Sequence, residues 1–126
     1  MKDVVIIGAG PAGTAAAFDL LSYGFSVLLL DKTAFPKKKA CAGGITPKAL
    51  ALFRYDISCL VRQECRSIKI RPQSGRAFEI QNEYPLCHMT QRWELDLLSL
   101  NMVQRKGAQF QVVQKIVSIE EKDFHV

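Results

Sequence analysis

An α/β fold built on a parallel sheet is what this sequence predicts, and three observations predict it. A short apolar run, Asp3 to Ile7, leads directly into the glycine-rich stretch Gly8-Ala9-Gly10-Pro11-Ala12-Gly13. An alanine- and leucine-rich segment follows, and a second apolar run, Phe25 to Leu30, then closes on the acid Asp31. Both apolar runs lack polar alternation, the pattern of strands covered on two faces in a parallel sheet.

Each element has a local cause. Asp3 to Ile7 is rich in β-branched residues and reads as the first strand. Pro11 suits the first helical position, where its missing N–H costs nothing. Thr14 to Tyr23 continues that helix, and Gly24 supplies a C-terminal stop. The helix spans about 20 Å and the strand from Phe25 to Asp31 about 23 Å. Such a helix returns the chain across the sheet and makes a right-handed parallel crossover.

The glycine spacing G-x-G-x-x-G carries chemistry when it lies between a strand and a helix. The first glycine makes the turn, the second removes a side chain that would collide with a pyrophosphate, and the third lets the helix pack close to the strand. The helix N-terminus then offers unpaired N–H groups to the anion. Asp31 lies 18 residues beyond Gly13, near the offset of about 20 expected for a ribose-binding acid. A carboxylate there would repel a 2′-phosphate, which disfavours NADP at this site. The bland alternative is a glycine turn of another α/β domain, with Asp31 a solvated strand end. The motif does not choose between NAD and FAD. About 75 residues separate Asp31 from the next strand candidate of the sheet, and large insertions at this point are characteristic of FAD enzymes. The fold class expected is therefore a Rossmann-like FAD-binding βαβ unit with a parallel sheet, an inserted β-hairpin and helices, and a β-meander at the C-terminus.

Residues 32 to 46 read as a loop. Thr46-Pro47 is an N-cap and first helical residue for a helix through about Phe53. Ser67 to Arg71 and Arg76 to Ile80 alternate and flank Gln73-Ser74-Gly75, a hairpin signature. Thr90 is placed to cap a helix from Gln91 to Lys106 that ends at Gly107, with Trp93, Leu97 and Leu100 as its core stripe. QFQVV, KIVSIE and DFHV within residues 108–126 are candidate short strands. The organisation expected is one incomplete FAD-binding domain over 1–126. It comprises the βαβ unit (1–31), an insertion with loop, hairpin and helix (32–107), and a third strand with the start of a meander (108–126).

Composition narrows the function. A hydrophobic content of 48% and a charged content of 23% are those of a globular chain. No apolar run approaches the roughly 20 residues of a membrane span, and no secretory signal opens the chain, so the expected location is cytoplasmic. The four cysteines, at 41, 59, 65 and 87, form no CxxC, so they are expected as free thiols, not zinc ligands. Cys59, Cys65 and Cys87 are expected to serve packing. His88 and His125 have no neighbouring pattern that would make them acids or bases. The net charge is +5, with Lys32 and Lys37-Lys38-Lys39 in one loop. That run is a solvated surface or a point of peripheral contact with anionic membrane. No aromatics interleave with it, which argues against nucleic acid.

The stretch Lys39-Ala40-Cys41-Ala42-Gly43-Gly44-Ile45-Thr46-Pro47-Lys48-Ala49-Leu50 resembles the K-x-C-G-G-G-[IL]-[ST]-x-x-[AL]-L motif of geranylgeranyl reductases, flavoenzymes that saturate isoprenoid double bonds. Phe35-Pro36 matches the family's approach to that loop. Arg92-Trp93-Glu94-Leu95-Asp96 resembles its R-x-x-[FL]-D helix start, a pattern shared with aromatic hydroxylases and halogenases. The resemblance runs along the whole chain but covers only the first third of a typical member. It implies that Gly8, Gly10, Pro11, Ala12 and Gly13 form the pyrophosphate turn. Asp31, with Lys32 beside it, would take the adenosine ribose. Cys41, Ala42, Gly43 and Gly44 would line the flavin side, Arg92 would reach toward the cofactor, and the backbone near Ile116 would pass the adenine.

Plain alternatives stand beside these roles. Cys41 reads equally as a small buried residue, Arg92 as an i,i+4 partner of Asp96, and Gly43-Gly44 as a turn. Ala42 departs from the family's glycine, which matters only if the backbone there needs a positive φ. The family's downstream Gly-Asp motif has no counterpart in these residues, nor has its Y-x-W motif, so the chain alone is expected to be inactive. For the intact enzyme the resemblance implies that NADPH or ferredoxin would reduce FAD, that flavin N5 would give hydride to an alkene of a prenyl lipid or prenyl diphosphate, and that a proton would complete the saturation. No catalytic side chain is assigned. An ADP- or NAD-binding module without redox chemistry, and a hydroxylase or halogenase branch, remain open.

Overall fold

The computed structural model describes residues 1–120. In chain order its elements are β1 (Val4–Ile7), α1 (Pro11–Ser22), β2 (Val27–Asp31), β3 (Gly44–Ile45), α2 (Pro47–Leu50), a 3-10 turn (Ser58–Leu60), β4 (Gln63–Cys65), β5 (Ser67–Ile70), β6 (Phe78–Gln81), β7 (Cys87–Met89), α3 (Arg92–Arg105) and β8 (Gln109–Val112). The chain divides into two compact units, Met1–Phe35 with residues from Leu100 onward, and Pro36–Ser99.

The first unit is the expected parallel sheet, in the order β1-β2-β8. β1 pairs in parallel with β2 from Val4↔Val27 to Ile7↔Leu30, and β2 with β8 from Leu28↔Gln109 to Asp31↔Val112. Val27 and Leu29 of β2 are fully buried in one cluster with Ala9, Ala17 of α1, and Leu100 and Val103 of α3. Small residues at Thr14 and Ala17 form the buried face of α1. The helix stops at Gly24, whose φ of +88° ends it as the sequence predicts.

Two expectations fail here. β1 is not covered on both faces, since Val5 and Ile7 are 52% and 60% exposed. Among the described residues it is an edge strand, with Val4 and Ile6 its half-buried residues. KIVSIE is not a strand, because residues 115–120 have no regular structure. A strand requires an edge to pair with, and among the described residues none pairs with this segment. DFHV falls outside the described residues.

In the second unit, β7 lies between β3 and β4 in an antiparallel sheet that the sequence does not announce. Its strands are two or three residues long, too short to show alternation. Ile45, Ile57 and Leu95 form its core. β5 and β6 form the predicted hairpin, with Ile68↔Ile80 and Ile70↔Phe78 paired on one face. Thr46 caps α2 as expected, its Oγ1 accepting from the Ala49 amide at 3.3 Å, although the helix ends at Leu50 instead of Phe53. Thr90 acts otherwise than predicted, since its hydroxyl donates to the Gly43 carbonyl at 3.0 Å. The stripe of α3 is also corrected. Trp93 is 42% exposed and Leu97 only half-buried, while Leu95 and Leu100 are buried. By helical phase Trp93 lies on the same side as Leu100, seven residues on, but it stands in the first turn of α3 and stays exposed, while Leu95 and Ser99 form a buried i,i+4 pair on another face.

Candidate functional site

The glycine turn joins β1 to α1 in the manner the motif requires. Gly8 leaves the strand at φ +105°, and its amide donates to the Leu30 carbonyl of β2 at 2.7 Å. Gly13 is held by close approach, because a Cβ there would lie 1.9 Å from the Gly8 carbonyl oxygen. Only hydrogen fits between this helix and the turn. Gly10 faces open space, with nothing within 4 Å of where a Cβ would stand.

Pro11 is the first residue of α1, and the Thr14 amide makes the first intrahelical bond, to the Gly10 carbonyl at 2.9 Å. The amides of Ala12 and Gly13 precede that bond and have no partner within the helix. No acidic side chain sits in the first turn, and no side chain caps it. The positive end of the helix therefore carries no side-chain cap or neutralising acid of its own.

Asp31, at the end of β2, turns toward this loop. It is 7% exposed; its Oδ2 accepts from the Ala9 amide at 2.9 Å and its Oδ1 from the Thr33 amide at 3.0 Å. The acid thus ties the second residue of the turn to the strand end, a role that sequence spacing does not reveal. Hydrogen bonds to a charged acceptor contribute about 1.5–3 kcal/mol each. Lys32 beside Asp31 is exposed. Ile116 is 41% exposed, in the irregular segment after β8.

In the second unit, Cys41, Ala42 and Arg92 line one cavity of about 480 Å³ together with Lys38, Lys39 and Trp93. Gly43 lies behind it and is buried. Its φ is +75°, and a Cβ would sit 1.9 Å from the Thr90 carbonyl oxygen. The Thr90 amide and hydroxyl both donate to the Gly43 carbonyl, at 2.9 and 3.0 Å. This clamp fixes the Cys41 loop to the start of α3. Ala42 causes no strain, because among the described residues no residue other than glycine has positive φ. Gly44 is part of β3 and packs on Cys87, whose sulfur would be 2.8 Å from an added Cβ. It is thus a sheet residue and not part of the cavity wall.

Arg92 makes the pair that its spacing allows. Its Nε and Nη2 donate to Oδ1 and Oδ2 of Asp96, each at 3.0 Å, and Asp96 is 1% exposed. That carboxylate raises the guanidinium pKa further above its ordinary value. Cys41 is exposed, not the small buried residue of the plain alternative. Its thiol pKa is lowered, first by the Gly43 amide and then by the Arg92 guanidinium. Of the remaining cysteines, Cys59 is exposed, while Cys65 and Cys87 are half-buried cross-strand partners. His88 has a neighbour invisible in the sequence, Glu64 across the strand pair, with its Nδ1 3.8 Å from Oε1.

The family model for pyridine nucleotide-disulphide oxidoreductases matches residues 2–123. A menaquinone reductase of Mycolicibacterium smegmatis is 32% identical over 124 residues, covering 93% of this chain and 30% of its own. A geranylgeranyl diphosphate reductase of Rhodobacter capsulatus is 31% identical over 107 residues, covering 85% and 27%. The chain therefore spans less than a third of the length of these relatives. A solved geranylgeranyl bacteriochlorophyll reductase-like protein of Thermoplasma acidophilum shares the fold with a TM-score of 0.73 at 23% identity, over 88% of this chain and 30% of that one. The flavin-dependent brominase Bmp2 shares it with a TM-score of 0.70 at 24% identity, over 97% and 31%. With a parallel sheet, a glycine turn at its edge and a model match across nearly its whole length, the chain belongs to the pyridine nucleotide-disulphide oxidoreductase family.

Proposed function

We propose that this chain is the nucleotide-binding part of an FAD-dependent oxidoreductase of the geranylgeranyl reductase kind, acting on a prenyl lipid or prenyl diphosphate. The observation that carries the proposal is the bond from the Ala9 amide to Asp31. It sets a buried acid against the glycine turn while Gly10 and the first amides of α1 stay open. A diphosphate fits there sterically and electrically, since the turn presents donors, a positive helix end and open space at Gly10. Gly8, Gly10, Pro11, Ala12 and Gly13 would hold the diphosphate, Asp31 with Lys32 the adenosine ribose, and the backbone at Ile116 the adenine. Cys41, Ala42 and Arg92 would face the flavin ring, with Gly43 and Gly44 shaping the loop behind them.

Bound FAD would supply hydride transfer to a carbon–carbon double bond, after reduction by NADPH or ferredoxin. The chain's own residues bind and orient. The amides at α1 neutralise phosphate charge, and Arg92, fixed by Asp96, presents a cation to its cavity. The 126 residues alone bind FAD weakly and do not turn over. The intact protein works in the cytoplasm, with peripheral contact to the membrane that holds its lipid substrate through basic loops such as Lys37-Lys38-Lys39. No helix among the described residues is long and apolar enough to cross a membrane.

A module that holds NAD or ADP without redox chemistry is the competing reading. Calorimetric titration of the chain with FAD, ADP and NAD separates them. FAD is expected to bind at least as tightly as ADP and more tightly than NAD. Tighter binding of NAD than of FAD would reject the flavin assignment.

A further inference from the structure

Asp96 is a buried acid with no place in the proposed contacts to cofactor. It is 1% exposed, and both of its oxygens accept from Arg92 at 3.0 Å. The two residues lie one turn apart on α3, so the helix itself sets the pair's geometry. A bidentate grip fixes the plane of a guanidinium as well as its position. Arg92 lines the cavity that also contains Cys41, Lys38 and Lys39. The Gly43–Thr90 clamp holds the Cys41 loop against the same end of α3. The Cys41 loop and the start of α3 that carries Arg92 are therefore held together.

We propose that Asp96 is a positioning residue: its paired bonds hold the Arg92 guanidinium in the orientation that faces Cys41 and the cavity. The inference deepens the flavin-side reading of this cavity. Its readout is the ionisation of Cys41 in the chain without cofactor, so the two stand or fall separately.

The groups that act on the Cys41 sulfur predict opposite signs for two possible roles of Asp96. The Gly43 amide and Arg92 favour the thiolate, while the Asp96 carboxylate opposes it by direct repulsion. Lys38 and Lys39 line the same cavity. If Asp96 acted only as a nearby charge, neutralising it would make Cys41 ionise at lower pH. If it acts by aiming Arg92, neutralising it lets the guanidinium swing away, and Cys41 ionises at higher pH.

The experiment is the pH dependence of iodoacetamide labelling at Cys41, with Cys59, Cys65 and Cys87 resolved by peptide mass analysis. In the unaltered chain the labelling midpoint is expected below that of an ordinary thiol. Asp96→Asn is expected to raise it, each unit slowing labelling about tenfold at neutral pH. Arg92→Gln is expected to raise it at least as far, and the double variant no further than Arg92→Gln alone. A lowered or unchanged midpoint in folded Asp96→Asn, beside a raised one in Arg92→Gln, overturns the proposal. Should Asp96→Asn fail to fold, Arg92→Lys decides. It keeps the charge but not the fork, so a raised midpoint supports the positioning role and an unchanged one rejects it.

Discussion

The two strand pairs β1–β2 and β5–β6 are of similar length, but eight of the nine residues of the first are apolar against four of the eight of the second, and they live in different surroundings. In the first, Val27 and Leu29 are fully buried and Asp31 is nearly so. In the second, every residue from 66 to 84 is exposed. Ile68, Ile70, Phe78 and Ile80, stacked in register on one face, keep between 41% and 52% of their surface in solvent. Apolar sequence alone thus forms a strand pair, but only cover by another element converts it into stability. The glycine turn follows β1 but is tied to the covered strand β2 by the Gly8–Leu30 and Ala9–Asp31 bonds, and a site built from backbone amides requires that rigidity.

The comparison predicts its largest effect at Gly13. A valine there would place carbon on the Gly8 carbonyl, 1.9 Å from its oxygen for the Cβ alone. Backbone on both sides leaves nothing flexible to yield. Gly13→Val is expected to cost about 4 kcal/mol or more and to abolish FAD binding, as measured by urea unfolding and calorimetry. Normal folding with lost binding would instead make Gly13 a ligand contact and not a packing position. Next in size is Leu29→Ala, which empties a fully buried site of β2. Its expected cost is about 2–5 kcal/mol. A loss below about 1 kcal/mol would mean that this core closes over the gap and that the contrast with the hairpin is weaker than burial suggests.

How much of this was legible in the sequence follows the same division. The βαβ unit was readable because its signals are local: β-branched runs, a proline at the helix start, Gly24 at its end, and glycines at fixed spacing. The hairpin was readable from alternation around Gln73-Ser74-Gly75 for the same reason. Contacts distant in sequence were not. Asp31 was placed at the site by spacing, but its bond to the Ala9 amide 22 residues away was not foreseeable. The Gly43–Thr90 clamp joins residues 47 apart, and it takes the hydroxyl that the capping pattern had reserved for α3. Trp93 has the helical phase of a core residue, in line with Leu97 and Leu100, and its exposure comes from its place in the first turn of α3, which the periodicity does not report. Strands β3, β4 and β7 are too short to carry a period at all.

The smallest effect expected is at the hairpin, and it is the most informative for the comparison. Phe78 is 52% exposed and its cross-strand neighbour is Ile70. Phe78→Thr keeps a β-favouring residue and loses a cross-strand pair contributing about 0.2–1 kcal/mol. Little transfer energy is lost with it, because the ring already contacts water. Urea unfolding of the chain should therefore show a loss of no more than about 1 kcal/mol, with the denaturant slope unchanged. A loss above about 1.5 kcal/mol would show that this face is covered in solution. The hairpin would then belong with the buried pair rather than opposite it, and exposure in the single chain would no longer separate the two regions.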